Sequence, residues 1–362
     1  MVSRAKSDRA RARELGIQFG DEPGPLNAIT DVTGVEVGHT TIIRGAGKLR
    51  EGRGPVRTGV TAILPRGRRD QSPVFAGYFA LNGNGEMTGT AWVEESGWLT
   101  SPVMITNTHS VGVVRDAVIA WQVKYNVMRQ PWSLPVVAET WDGWLNDING
   151  FHVKAEHAIS ALDGARAGRV PEGCVGGGTG MIGYGWKGGI GTASRRLARA
   201  AGGWTLGVLV QLNCGRPWEL VIGGQQIGKV LKPAKDPFGR QELGSIIIVA
   251  ATDAPLLPHQ LKRIARRLTI GLARTGSVSG NGSGDLFLAF STAQPGRAGK
   301  SGIATTKMLS NAHMDPLFAA TAQATEEAIV NALVAADTMT GIDGHRVEAI
   351  PHQKLREIFA SK

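Results

Sequence analysis

Residues 244–255 read GSIIIVAATDAP, and this stretch decides the expected fold. A short, continuous apolar run bounded by turn residues predicts a strand that is buried on both faces. Ser245 stands at the start of that strand, directly after Gly244. A serine hydroxyl in this place can attack the carbonyl before it, and cleavage there would leave Ser245 with a free α-amine beside its hydroxyl. A nucleophile and a candidate base would then belong to one residue.

The Gly-Ser dipeptide alone is a weak signal, because it also occurs at 276–277 and 282–283. The segment before Ser245 gives it more weight. Residues 216–243 carry three prolines and a charged stretch, which predicts a poorly ordered connection. Self-cleavage needs such a connection, since the two new chain ends must separate.

The rest of the chain alternates between strand and helix patterns. Residues 28–41 predict a strand, a turn and a second strand, and residues 1–25 predict a basic, partly helical arm. Further short strands are expected at 59–65, 103–106, 136–139, 205–212 and 284–291, and helices at 110–125, 152–162, 261–272 and from 315 toward 341. No strict strand–helix–strand repeat is apparent, so we expect an α/β protein built as a layered sandwich of sheets and helices.

Composition narrows the class of protein. The chain has 362 residues, of which 42% are hydrophobic, enough for a large core. Its 50 glycines are spread along the chain and predict many tight turns. The formal charge of +10 permits nucleic-acid binding. No stripe of aromatic and basic residues accompanies that charge, so a solvated basic tail and a solvated helix face are the preferred interpretation.

Neither a cofactor nor a membrane is expected. Cys174 and Cys214 form no CxxC pair and have no histidines at ligand spacing, so we expect two buried reduced thiols and no metal. No run of about 18 apolar residues is present, and no apolar segment follows the basic N-terminus as it does in a signal peptide. We therefore expect a cytoplasmic protein without membrane or nucleic-acid partners.

A glycine-dense segment, 173–191, contains two overlapping GxGxxG patterns that start at Gly178 and Gly183. No strand–loop–helix unit with a later acidic residue surrounds them, which argues against a dinucleotide site. Lys187 follows Trp186 rather than a glycine, so the Walker pattern fails as well. Glycine-rich hairpins that pass close to other backbone are the better interpretation.

Four polar residues are candidates for a site around Ser245. Asn213 follows a buried strand, and its amide can donate to an oxyanion. Ser283 and Asp285 alternate at the entry to a strand, which puts a hydroxyl and a carboxylate on one face. Glu139 ends another strand and is a candidate for binding a cationic group. Each also has an ordinary explanation as a turn former, a cap or a surface charge.

The chain resembles the DmpA-like L-aminopeptidase/D-esterase family, peptidase family S58, which includes the β-peptidyl aminopeptidases. The resemblance runs in order along nearly the whole sequence. The matching stretches are ITDVTGVEVGHTT (29–41), GVTAILPRG (59–67), ALNGNGEMTG (80–89), ITNTHSVGVVRDA (105–117), VVAETWDGWLNDING (136–150), GGGTGM (176–181), LVQLNCG (209–215), GSIIIVAATDAPL (244–256), GSGD (282–285) and ATEEAIVNAL (324–333).

This resemblance implies a four-layer αββα sandwich of the N-terminal-nucleophile type and a precursor that cleaves itself between Gly244 and Ser245. The products would be a larger subunit, 1–244, and a smaller one, 245–362, which together form one domain. A homo-oligomer, a tetramer of such processed pairs, is implied as well.

The resemblance also implies a role for each candidate. Ser245 would be the nucleophile and the new N-terminus, and Asn213 would stabilise the oxyanion. Ser283 and Asp285 would orient or assist the serine and its amine. Glu139 would bind the free α- or β-amine of the substrate.

The implied activity is that of a cofactor-free serine aminopeptidase, which removes L-, D- or β-amino acids from short peptides, amides or esters. Trp141 stands where we expect a tyrosine near the oxyanion, and an indole donates hydrogen bonds but accepts none. Substrate choice is expected to depend on a pocket that includes Trp132 and Trp141. Two alternatives stay open: a self-processing acyltransferase of the ornithine acetyltransferase type, against which Ser245 argues because that group uses threonine, and a basic nucleic-acid-binding protein.

Overall fold

The computed structural model describes residues 10–128, 130–234, 237, 244–293 and 302–360. The strands are β1 (Glu36–Arg44), β2 (Val56–Leu64), β3 (Val74–Gly83), β4 (Trp98–Leu99), β5 (Val103–Asn107), β6 (Val136–Thr140), β7 (Ile182–Gly183), β8 (Trp186–Lys187), β9 (Gly189–Arg196), β10 (Thr205–Asn213), β11 (Ser245–Thr252), β12 (Gly284–Ser291), β13 (Met339–Thr340) and β14 (Arg346–Val347). The helices are α1 (Thr90–Ser96), α2 (Val111–Lys124), α3 (Ala155–Asp163), α4 (Ile227–Val230), α5 (Pro258–Arg274), α6 (Asp315–Val334) and α7 (His352–Ala360).

Two sheets form the centre of the molecule. One has four strands in the order β1-β2-β5-β6, and the other has six in the order β4-β3-β12-β11-β10-β9. β11 lies in the middle of the larger sheet, antiparallel to β10 and parallel to β12. All of its residues are buried, which confirms the strand predicted from the apolar run.

The apolar side chains separate into three layers. In β11, Ile246 and Ile248 pack with residues of α5 and α6, whereas Ile247 and Val249 pack with residues of the smaller sheet. This division follows from the alternation of side chains along a strand. A third cluster joins the outer face of the smaller sheet to α2 and α3. One apolar layer therefore lies between the two sheets, and one lies between each sheet and its helices. This arrangement confirms the αββα sandwich.

Glycines in the strands allow the helices to lie close to the larger sheet. A Cβ at Gly191 in β9 would lie 2.0 Å from the carbonyl oxygen of Ala328 in α6. A Cβ at Gly77 in β3 would lie 2.3 Å from the amide nitrogen of Lys262 in α5. The high glycine content, which was expected to mark turns, therefore also serves helix packing.

The predicted strand–turn–strand at 28–41 is wrong in its first half. Ile29–Asp31 is a short 3₁₀ turn, and one strand, β1, follows it. The amide of Ile29 donates to Thr192 Oγ1 at 2.8 Å, and its backbone lies against Gly207 of β10. The segment is therefore packed across the larger sheet rather than paired as a strand. The helix predicted from 152 begins at Ala155.

The solvated basic arm is also a wrong prediction for its described part. Ile17 and Phe19 are buried in the core. Arg11 pairs with Glu172 at 2.8 Å and Arg13 pairs with Glu327 at 2.9 Å. Because both glutamates are buried, the arginines act as their counter-charges. Residues 1–9 of the arm lie outside the described residues.

The connection at 216–243 is more structured than expected. Leu220, Ile222 and Ile227 are fully buried in the core beside the larger sheet, and Ile227 begins the short helix α4. Apolar side chains at these positions hold the segment against the core, so the prediction of poor order is wrong for 216–234. Most of the remainder, 235–236 and 238–243, lies outside the described residues.

Three further observations concern expected absences and the thiols. Across the described ranges, no helix is both long and apolar enough to cross a membrane. The same ranges hold no group of three or more histidine, cysteine or acidic residues arranged for a metal ion. Cys174 and Cys214 form no disulfide; Cys214 is buried, but Cys174 is only half-buried, contrary to expectation.

We expect Gly191→Ala to lower the free energy of unfolding by at least about 1–3 kcal/mol, because the new methyl group forces α6 away from β9. Thermal unfolding at one protein concentration measures this change. Gly112→Ala, at an open position in α2, is the matched control and should be neutral or stabilise by up to about 1 kcal/mol. Equal melting temperatures for Gly191→Ala and wild type would contradict the close packing of α6.

Candidate active site

Ser245 is the first residue of β11 and stands directly opposite Asn213 of β10. Because side chains alternate along a strand, the side chain of Ser245 lies on the same face of β11 as Ile247 and Val249 and points between the two sheets. The backbone N–H of Gly284, which begins the neighbouring strand β12, donates to Ser245 Oγ at 3.0 Å. This hydrogen bond fixes the hydroxyl at the ends of three adjacent strands.

Gly244 is a position that only glycine fits. A Cβ there would lie 1.7 Å from the carbonyl oxygen of Asn213. The backbone on the N-terminal side of Ser245 therefore lies directly against the end of β10. A bulkier residue would push the Gly244–Ser245 peptide away from Asn213.

The side-chain amide of Asn213 is held at both of its ends. The backbone N–H of Ile182 donates to Oδ1 at 2.8 Å, and Nδ2 donates to the carbonyl oxygen of Trp141 at 2.9 Å. These partners define which end of the amide is nitrogen. A primary amide has two N–H groups, so Asn213 has one further hydrogen with which to stabilise an oxyanion beside Ser245.

Ser283 and Asp285 form a buried pair, as their alternation predicts. Ser283 Oγ donates to Asp285 Oδ1 at 2.7 Å, and Asp285 lies beside Ile246 in the parallel pairing of β11 and β12. The hydroxyl hydrogen of Ser283 is thus committed to the carboxylate, which leaves the lone pairs of the oxygen to accept from another donor. Gly284, between the two residues, is the one that contacts Ser245 Oγ.

Glu139 belongs to β6 of the other sheet and is almost completely buried. The backbone N–H of Glu86 donates to its Oε1 at 2.9 Å, and Thr108 Oγ1 donates to its Oε2. Burial raises the pKa of Glu139, while these two hydrogen bonds oppose the shift. Sequence reasoning missed Thr108 and the amide of Glu86, although both lie in stretches that carry the family resemblance.

A cavity of about 580 Å³ is lined by residues of both sheets, among them Ser245 and Glu139. Such a volume is typical of a small-molecule site. Among the described lining residues, the charged ones are the carboxylates Glu86 and Glu139, so this part of the cavity favours a cationic ligand in spite of the positive charge of the chain. The lining residues are Gly83, Asn84, Gly85, Glu86, Thr108, Glu139, Trp141, Ser245 and Gly282.

The two tryptophans predicted to shape the pocket differ in position. Trp141 lines the cavity, and its backbone carbonyl accepts from Asn213. The described lining does not include Trp132, a residue that is 59% exposed. The structure therefore brings Ser245, Asn213, Glu139 and Trp141 together and leaves Trp132 outside.

The chain is similar in sequence and in structure to known peptidases. Residues 27–347 match the model of Peptidase family S58. The chain is 52% identical to the β-peptidyl aminopeptidase BapA of Sphingosinicella microcystinivorans, over 99% of this chain and 94% of that protein. A solved Burkholderia sp. β-aminopeptidase has a TM-score of 0.90 and 49% identity, covering 97% of this chain and 99% of that one. The L-aminopeptidase D-Ala-esterase/amidase of Ochrobactrum anthropi has a TM-score of 0.89 and 46% identity, covering 97% and 98%.

The fold is that of an N-terminal-nucleophile hydrolase, the class to which the Ochrobactrum structure is assigned. Within that class, the chain belongs to peptidase family S58 and is an aminopeptidase. The resemblance found in the sequence is thereby confirmed. The comparisons therefore favour a peptidase over the acyltransferase and nucleic-acid-binding alternatives.

Burial of Glu139 predicts a conflict between stability and function. Because its pKa is raised in the folded protein, ionisation of Glu139 costs stability; this cost is absent below the unfolded pKa and is complete above the folded pKa. Glu139→Gln should therefore raise the melting temperature at neutral pH, and the difference from wild type should shrink toward about pH 4.

Thermal unfolding of both proteins across this pH range checks the prediction. Glu95→Gln, at an exposed position in α1, is the control and should follow wild type at every pH. A melting temperature of Glu139→Gln below wild type at neutral pH would show that the hydrogen bonds of the carboxylate outweigh its burial.

Proposed function

We propose that the chain cleaves itself between Gly244 and Ser245 and then hydrolyses N-terminal residues from short peptides, amides or esters through the released Ser245. One juxtaposition supports this proposal most strongly. Ser245 pairs with Asn213 in the larger sheet, and Glu139 of the smaller sheet lines the same cavity as Ser245. A nucleophile, an oxyanion donor and an amine-binding carboxylate are thus held by two sheets that share one core.

The position of the hydroxyl supports self-cleavage. Ser245 Oγ attacks the carbonyl carbon of Gly244, an O–C bond forms, and the C–N bond to Ser245 breaks while the hydroxyl proton passes to the leaving nitrogen. Water then hydrolyses the resulting ester. The products are a carboxylate on Gly244 and a free α-amine on Ser245. Residues 1–244 and 245–362 become separate subunits of one folded domain.

The released amine supplies the base for peptide hydrolysis. An α-amino group has a pKa of about 7.7–8.0, so a useful fraction is neutral near pH 7. It takes the proton of Ser245 Oγ as the oxygen attacks the substrate carbonyl. Ser283 accepts a hydrogen bond from this amine, since its own hydrogen is donated to Asp285. The free N–H of Asn213 stabilises the oxyanion, and water resolves the acyl-enzyme.

Glu139 selects substrates that carry a free amine. Its two oxygens are held by Thr108 and by the amide of Glu86, so the carboxylate has a fixed direction in the cavity. An ammonium group that binds there gains a charge-assisted hydrogen bond in a partly dry site. A cavity of about 580 Å³ favours short substrates over folded proteins.

We further propose that β-amino acids are the preferred N-terminal residues. The name of the Sphingosinicella relative and that of the Burkholderia structure both specify β-linked substrates, and these two proteins have higher identities to this chain than the Ochrobactrum enzyme has. Assembly into a homo-oligomer of processed pairs belongs to the same proposal and rests on the family resemblance. A cytoplasmic location is also proposed, and it rests on the sequence pattern alone.

Intact-mass measurement tests the processing step. Wild type should give two chains, the second beginning at Ser245, whereas Ser245→Ala should give one chain without peptidase activity, because the attacking oxygen is gone. Ser277→Ala, at another Gly-Ser dipeptide, is the matched control and should process as wild type does. An active wild-type enzyme that stays uncut would contradict the mechanism.

Glu139→Ala should lower kcat/KM for β-alanyl p-nitroanilide by about 10–100-fold, the effect of losing a hydrogen bond to a charged group. Its self-cleavage, followed by intact mass against time, should change little, because Gly244 has no free amine at the scissile bond. Equal losses in both reactions would show that Glu139 does not act through the substrate amine. Wild type should prefer β-alanyl to L-alanyl p-nitroanilide; the opposite order would overturn the β-substrate proposal alone.

A further inference from the structure

Lys187 is a fully buried lysine that the mechanism above does not use. It lies in the short strand β8, within the glycine-dense segment 173–191. Its Nζ donates to the carbonyl oxygens of Met181 at 2.7 Å, Gly188 at 2.9 Å and Gly178 at 3.4 Å. Three acceptors match the three N–H groups of an ammonium, whereas a neutral amine has only two.

Burying this charge is costly. Desolvation lowers the pKa of Lys187. The nearby Cys174, Asp142 and Asp337 oppose that shift but do not cancel it. An apolar side chain would fill the same space without the desolvation cost. A group retained against such a cost is a candidate for function, and its contacts indicate which function.

The contacts of Lys187 lead directly to the oxyanion donor. Its strongest acceptor is the carbonyl of Met181, and the N–H of the same peptide group belongs to Ile182 and donates to Asn213 Oδ1 at 2.8 Å. The ammonium, one planar peptide and the side-chain amide therefore form a continuous hydrogen-bonded chain. Bonds in such a chain polarise one another, most of all in a dry interior.

We propose that Lys187 is a positioning residue for Asn213, which deepens the proposed function and rests on it. The positive charge withdraws electrons from the carbonyl of Met181, so the N–H of Ile182 becomes a stronger donor to Asn213 Oδ1. The amide of Asn213 is polarised in turn, and its free N–H becomes a stronger donor to the oxyanion. The same chain fixes the direction of that N–H.

The surrounding backbone supports a rigid relay rather than a mobile loop. Ile182 pairs with Lys187 across the β7–β8 hairpin, and the N–H of Gly188 also donates to the carbonyl of Met181 at 2.9 Å. A Cβ at Gly188 would lie 2.5 Å from the carbonyl oxygen of Leu212, next to Asn213 in β10. The hairpin is thus seated directly on the strand that carries the oxyanion donor.

Lys187→Met tests the proposal, since methionine retains much of the volume and loses the charge. Activity toward β-alanyl p-nitroanilide is normalised to the processed fraction from intact mass and measured well below the melting temperature of each variant. We expect kcat to fall by on the order of tenfold with KM nearly unchanged, because an oxyanion exists only in the transition state. Lys187→Gln is a smaller perturbation that keeps N–H donors, and its kcat should also be lower than that of wild type. It replaces Lys187→Met in the test if that variant does not fold.

A double-mutant cycle separates relay from general loosening. Asn213→Ala should lower kcat by about 10²–10³-fold, and adding Lys187→Met to it should lower kcat little further. Thr179→Val is the matched control: it removes a buried hydrogen bond to the carbonyl of Gly176 in the same segment, and should lower the melting temperature without changing kcat.

The outcomes distinguish the two proposals. Multiplicative losses in the cycle, or wild-type kcat for Lys187→Met and Lys187→Gln, would overturn the role of Lys187 while Asn213→Ala still reports a working oxyanion site. Wild-type kcat for Asn213→Ala, or activity in Ser245→Ala, would overturn the proposed function itself.

Discussion

The approach of Gly244 and Ser245 to the end of β10 is the constraint on which the site depends. Because a side chain at 244 would meet the carbonyl of Asn213 at 1.7 Å, the chain must enter β11 as a glycine backbone pressed against its neighbour. This contact places Ser245, the proposed nucleophile, directly opposite Asn213, the proposed oxyanion donor. The rest of the sandwich serves to keep those two strand ends in register and to hold the smaller sheet, with Glu139, above them.

Much of this fold was visible in the sequence, because its strands carry strong local signals. The apolar run after Ser245 and the stretch that ends at Asn213 both predict buried strands, and both appear. Errors arose where long-range partners decide the structure. The amide of Ile29 is bonded to Thr192, far along the chain, rather than to a neighbouring strand, and no local pattern announces that partner.

The site was predictable to a different degree for each residue. Ser245, Asn213 and Glu139 are polar residues at the ends of apolar strands, a pattern that points to a site. The groups that hold them are harder to find, because several are backbone atoms. The N–H groups of Gly284 and Ile182 belong to the backbone, so no side chain in the sequence indicates their role. In the sequence Lys187 matched only an incomplete Walker pattern, and its contacts in the β7–β8 hairpin became apparent only in the structure. Trp132 is a prominent side chain that lies outside the described cavity lining, so its part in substrate choice stays a prediction.

The partners of the nucleophile divide into groups that titrate and groups that do not. Gly284 and Ile182 hold Ser245 Oγ and the Asn213 amide through backbone N–H groups, which do not themselves titrate. The proposed α-amine and the carboxylate of Glu139 are the groups whose protonation must be right, one neutral and the other ionised. Both groups must therefore be deprotonated, so the pH range in which both conditions hold begins above the higher of the two pKa values. Burial moves the pKa of Glu139 upward, and the amine sets the limit as long as its pKa is the higher one. The two hydrogen bonds from Thr108 and Glu86 oppose that rise in pKa and thereby favour the ionised form of the carboxylate inside the sandwich.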